Sequence, residues 1–136
     1  MPEPDCIFCR ILAGELPATV VAQDERTFSF MDINPATRGH MLVIPRAHSR
    51  DVTEIAPEDL AACNASAQAL VGRALDRLGA DGVNVLNACR PAAGQTVFHT
   101  HLHVIPRYRD DGISLPWVPA PGDPDEIAAA ARELIG

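Results

Sequence analysis

The residues with the most chemistry per unit length lie in the run Phe98-His99-Thr100-His101-Leu102-His103-Val104, which holds three of the chain's five histidines. In an extended segment successive side chains alternate faces, so His99, His101 and His103 project from one side. Phe98, Thr100, Leu102 and Val104 take the other side and can pack on a helix. Each imidazole must satisfy two ring nitrogens, and a row of three suits metal binding, phosphate contact or proton transfer. A solvated face that is His-rich by accident is the bland rival, disfavoured by the concentration of histidines in five positions. A three-histidine metal site is the stronger rival, because alternate strand positions can supply zinc ligands.

Other residues could serve the same site. Gly94-Gln95-Thr96 forms a turn just before the histidines: Gly94 permits close backbone approach, and Thr96 offers a hydroxyl and an N–H. Cys6-x-x-Cys9 alone is a weak zinc signal that wants two further nitrogen or sulfur ligands, and two buried thiols are the bland rival. A redox role for it is disfavoured, since no βαβ context surrounds it. Read alone, Phe8 and Phe30 are core aromatics, and Asp32 is a turn residue beside Asn34-Pro35.

The elements that must position these residues follow from periodicity and breakers. A short helical stretch over 6–13 is stopped by Gly14 and Pro17. Strands are expected over 18–23, 27–31, 40–45, 82–87 and 96–105, with loops over 32–39 and 88–95. The clearest helix is 57–78, with Pro57 in its first turn, a buried apolar stripe of Leu60, Cys63, Ala67, Leu70, Val71, Ala74, Leu75 and Leu78, and Gly79 as the stop. Cys63 belongs to that stripe, and Cys89 has no assigned role. After a Pro-rich stretch a last helix starts at Asp123-Pro124, with Asp123 as cap and Glu126 completing a capping box. The inventory predicts an α+β fold: a five-stranded antiparallel sheet, one long helix packed on it, and short helices at both ends. One domain spans 1–136, with a core of roughly 6–107 and a tail over 108–136.

Composition narrows the function classes. The chain is 47% hydrophobic and 21% charged, a globular balance. A formal net charge of −7 argues against a nucleic-acid backbone as the main partner. Every basic residue is Arg, which removes lysine Schiff-base chemistry. The acidic start Met1-Pro2-Glu3-Pro4-Asp5 lacks the pattern of a signal peptide, and no apolar run approaches a membrane span. The expected compartment is the cytoplasm, where thiols stay reduced.

The run Ala93 to Arg107 resembles the signature of the histidine triad superfamily of nucleotide hydrolases and transferases. The likeness extends to Cys6-Ile7-Phe8-Cys9-Arg10-Ile11, to Phe30-Met31-Asp32-Ile33-Asn34-Pro35 and to Gly39-His40-Met41-Leu42-Val43-Ile44-Pro45, covering roughly residues 6–107. The resemblance implies that His101 attacks the α-phosphorus and forms a nucleotidyl-histidine that water resolves. It implies that His103 contacts the phosphate and that His40 lies near the leaving group. It places Ile7, Phe8, Phe30 and Ile33 around a purine base, Asp32 on the ribose, and Gly94, Gln95 and Thr96 at the phosphate. Asn87 matches an asparagine of the family's phosphoramidases, where dinucleoside polyphosphate hydrolases carry Gln. It stands one residue further from His99 than usual, so the loop 89–93 holds an insertion.

By similarity to bacterial members, Cys6, Cys9, His48 and His99 close a structural zinc site. Four protein ligands leave no place for an activated water, so that metal would not be catalytic. The family pairs through its long helix and edge strands, which implies a homodimer. The resulting expectation is release of AMP from purine nucleoside phosphoramidates or related adenylyl conjugates. Hydrolysis or phosphorolysis of dinucleoside polyphosphates is the nearest alternative, and a zinc-stabilised nucleotide-binding protein without turnover is the second.

Overall fold

The structure is a computed structural model that describes residues 2–114 and 117–136. Met1, and Leu115 and Pro116 of the Pro-rich stretch, lie outside the described residues. The elements run α1 (Ile7–Leu12), β1 (Val20–Gln23), β2 (Thr27–Met31), β3 (Met41–Pro45), α2 (Pro57–Arg77), β4 (Gly82–Leu86), β5 (Leu102–Arg107) and α3 (Pro124–Ile135). The five strands form one sheet in the order β1-β2-β3-β5-β4, with every neighbouring pair antiparallel. This is the expected α+β architecture.

Two cores sit on opposite faces of the sheet. On one face Met41, Val43, Leu102 and Val104 meet the stripe Cys63, Ala67, Leu70 and Ala74 of α2. Their alternation along β3 and β5 is the period-2 signature of strands with one face against a helix. Burial pushes the Cys63 thiol up to about 12, so it behaves as a small core hydrophobe. On the other face Phe8 of α1 packs with Phe28, Phe30, Leu42 and Ile44. That second face carries the histidines: His103 lies opposite Leu42 in the β3–β5 register.

The local caps follow the chemistry of the residues present. Cys6 caps α1 through its own sulfur, which accepts from the Cys9 amide at 3.3 Å. Pro57 opens α2, where a missing N–H leaves nothing unsatisfied. Asp123 caps α3 by accepting from the Asp125 amide at 3.2 Å. The reciprocal bond from Glu126 is not made among the described residues, so the capping box is half formed.

Most boundaries fall within two residues of expectation, and that of the last strand differs more. The strand expected over 96–105 begins only at Leu102, and residues 95–101 are irregular. Thr100 explains the difference, because its amide donates to the Ser49 carbonyl at 2.8 Å and its hydroxyl sits 2.7 Å from that of Ser49. This sideways tether takes the chain off the sheet before β5 begins. As a result Phe98 is exposed instead of packing on α2. No described helix is long and apolar enough to cross a membrane.

Candidate active site and metal site

His101 is held by its backbone neighbourhood in one tautomer. Its Nδ1 lies 2.7 Å from the carbonyl oxygen of His99, and a carbonyl only accepts, so Nδ1 carries the proton. Nε2 therefore bears the lone pair, and it makes no hydrogen bond among the described residues. The ring is 6% exposed, with Phe8 edge-on at 5.2 Å and His103 at 4.9 Å between centroids. Burial lowers its pKa below the usual histidine value, partly opposed by the bond to His99 and by Asp32, so the ring is neutral at pH 7. A neutral imidazole with one pinned N–H and one free lone pair is an activated nucleophile.

The same reasoning fixes the next two rings. The Ala36 amide donates to His40 Nδ1 at 2.9 Å, so His40 carries its proton on Nε2. That Nε2–H points at His103 Nδ1, 2.9 Å away, which must accept. His103 is left with Nε2–H, a donor, beside the lone pair of His101. Burial and the neighbouring imidazoles of His101 and His40 hold His103 at about 4, and burial also lowers His40 against the pull of Asp32. The site thus offers one nucleophilic nitrogen and one hydrogen-bond donor side by side, both neutral.

Asp32 divides its oxygens. Oδ1 accepts from the Asn34 amide at 2.8 Å, which is the turn role its sequence context suggests, while Oδ2 lies 3.5 Å from His40 Nε2. The donors of Asp32, His40 and His103 gather within 4.8 Å, a spacing a metal could use. The Ala36 amide argues against it, because coordination at His40 Nε2 would require an imidazolate or the loss of that bond.

Around this centre Phe8 and Phe30 are buried and pack edge-on at 5.4 Å, whereas Ile7 is half-exposed and Ile33 is 90% exposed. The aromatics thus serve the core, as their types alone suggest, and leave two apolar side chains at the surface. Gly94 has φ +96°, closing the short 3₁₀ turn Pro91–Ala93. Gln95 is buried, and its side chain staples loops: Nε2 donates to the carbonyls of Arg50 and Val97, and Oε1 accepts from the Arg90 amide. Its amide group is used up within the protein, so Gln95 shapes the loop. Asn87 donates to the His101 carbonyl at 2.9 Å and steadies the backbone of that residue.

The amides of Thr96 and Val97 donate to nothing among the described residues, and two successive free N–H groups suit a phosphate. A hollow of about 580 Å³ opens beside Thr96 and Val97 and reaches Cys6 and His48. Sequence reasoning missed the amides of Val97 and Ala36, because a backbone donor leaves no trace in residue type.

A second cluster lies under α1. His99 Nδ1 stands 3.4 Å from Cys6 Sγ, 3.6 Å from Cys9 Sγ and 3.2 Å from His48 Nδ1, and Cys9 Sγ is 3.3 Å from His48 Nδ1. Zinc bonds of about 2.0–2.3 Å in a tetrahedron require ligand edges of roughly 3.3–3.8 Å, so this donor set fits zinc. His99 Nε2–H donates to the Pro45 carbonyl at 2.9 Å, which turns the Nδ1 lone pair toward the sulfurs. Burial holds His99 at about 4, the neutral state a ligand needs. Burial also pushes the Cys6 thiol up, a cost that a bound cation offsets by favouring the thiolate. All four sequence-predicted ligands therefore converge.

A five-stranded antiparallel sheet that sets a neutral imidazole lone pair beside a histidine N–H defines a site suited to nucleophilic group transfer. The HIT domain model matches residues 13–110, and the chain belongs to that family. Adenosine 5'-monophosphoramidase hnt1 of Schizosaccharomyces pombe is 34% identical over 130 residues, covering 95% of each chain. A HIT family protein from Bacillus anthracis superposes with TM-score 0.88 at 32% identity, over 97% of this chain and 96% of that one. A Zn-bound histidine triad family protein from Mycobacterium smegmatis is 40% identical, with TM-score 0.78 over 96% of both chains. At the level of the family, these relatives support a nucleotide hydrolase.

Proposed function

We propose that the protein hydrolyses purine nucleoside phosphoramidates or related adenylyl conjugates and releases AMP. The observation that carries this reading is the pair of opposite nitrogens, the His101 Nε2 lone pair beside the His103 Nε2–H. In the first step Nε2 of His101 bonds to the α-phosphorus while the bond to the leaving amine breaks with its electron pair. The His103 Nε2–H hydrogen-bonds the departing nitrogen, which takes its proton from water, while the His101 ring, 4.9 Å away between centroids, gains the positive charge. Water then cleaves the phosphorus–His101 bond, its proton passing to solvent, and His101 returns to its neutral form. The free amides of Thr96 and Val97 meet the phosphoryl oxygens as charge develops on them.

Asp32 Oδ2 anchors the ribose in this reading, and Ile7 and Ile33 cover the base. Cys6, Cys9, His48 and His99 hold a structural zinc that ties α1 to the catalytic segment. The Zn-bound relative and the convergence of four donors support this assignment. A homodimer is supported by β4, an unpaired sheet edge that exposes Val85 and Leu86. Such an edge attracts a second strand.

The test is the product pattern. Adenosine phosphoramidate should yield AMP and ammonia at a rate abolished by His101→Ala. Faster release of AMP with ADP or ATP from a dinucleoside polyphosphate would move the assignment to that branch. Nucleotide binding with no turnover above the His101→Ala background would make the protein a binding module.

A further inference from the structure

A groove of about 330 Å³ runs beside α2, on the face of the sheet opposite the histidines. Val21, Met31, Met41 and Leu70 give it an apolar lining. Gly39 keeps one end open, because a Cβ there would collide with Leu78 Cδ1, another lining atom. The charged side chains of the lining are all of one sign: Arg38, Arg73 and Arg77. Leu70, Arg73, Ala74 and Arg77 share one side of α2 at helical spacing, so the helix presents an apolar ridge with two cations. Arg38 reaches the same groove from the loop before β3.

These cations are idle within the chain. Of its 11 arginines, Arg38, Arg50, Arg73, Arg77 and Arg132 make no side-chain hydrogen bond or ion pair among the described residues. Three of those five share this groove. Arg73 and Arg77 stand four apart on a helix, where like charges repel. Asp76 pairs with neither of them. Asp24, in the hollow on the other side of Arg73, spends its carboxylate on the Arg26 and Thr27 amides. In a chain of net charge −7, this is a local excess of positive charge over an apolar floor.

Three guanidinium groups exceed what one carboxylate neutralises, and they match the double charge and three acceptor oxygens of a phosphate monoester. No aromatic ring and no hydrogen-bonding side chain other than the arginines lines the groove, so it has nothing with which to read a base or a sugar. Two methionine thioethers adapt instead to a flexible hydrocarbon. The volume lies at the lower end of the roughly 300–1,000 Å³ of small-molecule sites, which suits a short chain. We infer that this groove is a second ligand site, for a short hydrocarbon chain ending in a phosphate. Arg38, Arg73 and Arg77 hold the head, and Met31, Met41, Val21 and Leu70 line the path of the chain. A ligand at the histidines and one here lie on opposite faces of the sheet and do not compete.

The probe is decyl phosphate below its micelle threshold, titrated calorimetrically into the full-length chain. Methyl ¹³C spectra of methionine locate it, since two of the three methionines line the groove. Expected is one site per chain that shifts the Met31 and Met41 methyls and keeps its affinity under saturating AMP. Arg73→Gln/Arg77→Gln should weaken binding at least about tenfold, and Arg38→Gln at least about threefold. All three side chains are exposed, so Tm should hold in both variants. Equal affinity for decyltrimethylammonium, or equal affinity in parent and variants, would mean adsorption to apolar surface and overturn the site. Displacement by AMP, or inorganic phosphate binding as tightly as decyl phosphate, overturns it too. Heat seen only above the micelle threshold would assign the surface to membranes. Arginine variants that weaken self-association while decyl phosphate fails to bind would assign it to a second copy. Either outcome, or no binding at all, overturns the inference.

Discussion

The carbonyl oxygen of His99 accepts the Nδ1 proton of His101 at 2.7 Å, while the side chain of the same His99 lies among Cys6, Cys9 and His48. One residue thus reaches both clusters, its backbone orienting the His101 ring and its own ring joining the Cys6, Cys9 and His48 donors. The first consequence concerns His101 itself. In the proposed reaction, removing its ring removes the atom that bonds to phosphorus, whereas the ribose and base contacts proposed above lie on other elements. His101→Ala should lower kcat by at least on the order of 10³-fold and leave nucleotide affinity within about a factor of three. Single-turnover kinetics and calorimetric titration with AMP check the two halves separately.

The pH dependence follows from the direction of the histidine shifts. His101, His103 and His40 are all held below the usual histidine value, chiefly by burial. Their neutral forms are the active ones, so kcat/KM stays full at pH 7 and falls only as pH drops below the ordinary value of about 6.5. Asp32 pulls all three upward by its charge. Asp32→Asn should therefore move the acid limb to lower pH while raising KM through the lost ribose contact. A limb that moves upward, or stays in place, would show that Asp32 does not act on these rings.

The sequence made the fold and the grouping of the histidines legible, because periodicity reports which face is buried. β2 runs over the residues expected, and Cys63, Ala67, Leu70 and Ala74 of the α2 stripe pack where their spacing placed them, while Leu75 at its margin is exposed. Residues 96–101 were harder, since strand-like types occur there while a hydrogen bond from Thr100 to Ser49, 51 positions away, draws the chain off the sheet. The tautomers were not legible either. They depend on the backbone groups of Ala36, His99 and Pro45, and main-chain geometry is not written in side-chain identity. Residue type does not reveal that the side chain of Gln95 is taken up by three loop contacts.

Gly39 stands immediately before His40 with φ +89°, and a Cβ there would collide with Leu78 Cδ1 and come within 3.3 Å of Pro106 Cγ. Gly39→Ala combines backbone strain with a clash against α2's last turn, and should cost about 2 kcal/mol. That corresponds to roughly 6–8 °C in Tm for a chain of this size. The turn also sets His40, so kcat should fall as well. Gly14→Ala is the control: its φ is +78° but nothing lies within 4 Å of the added Cβ. It should lose about 1 kcal/mol from strain alone and keep its kinetics. Equal loss of kcat in both would detach the catalytic effect from His40.

Cys9 offers the sharpest test of the metal cluster. Its sulfur lies 3.3 Å from His48 Nδ1 and 3.6 Å from His99 Nδ1, and the residue is buried under α1. A serine hydroxyl keeps the volume but is a poor zinc ligand, so Cys9→Ser should reduce bound zinc from about one per chain to a small fraction of that. Losing a structural metal costs several kcal/mol, and a Tm drop of about 10 °C or more is expected. The catalytic consequence runs through His99. With its ring no longer held, its carbonyl loses its fixed position, and the Nδ1 proton of His101 loses its single acceptor. kcat should fall by about tenfold with KM little changed, and ¹⁵N imidazole shifts should show the His101 proton divided between Nδ1 and Nε2. Retained zinc at full stoichiometry in Cys9→Ser would refute the ligand set. Lost zinc with an unchanged His101 spectrum and unchanged kcat would show that the metal holds α1 in place without reaching the nucleophile.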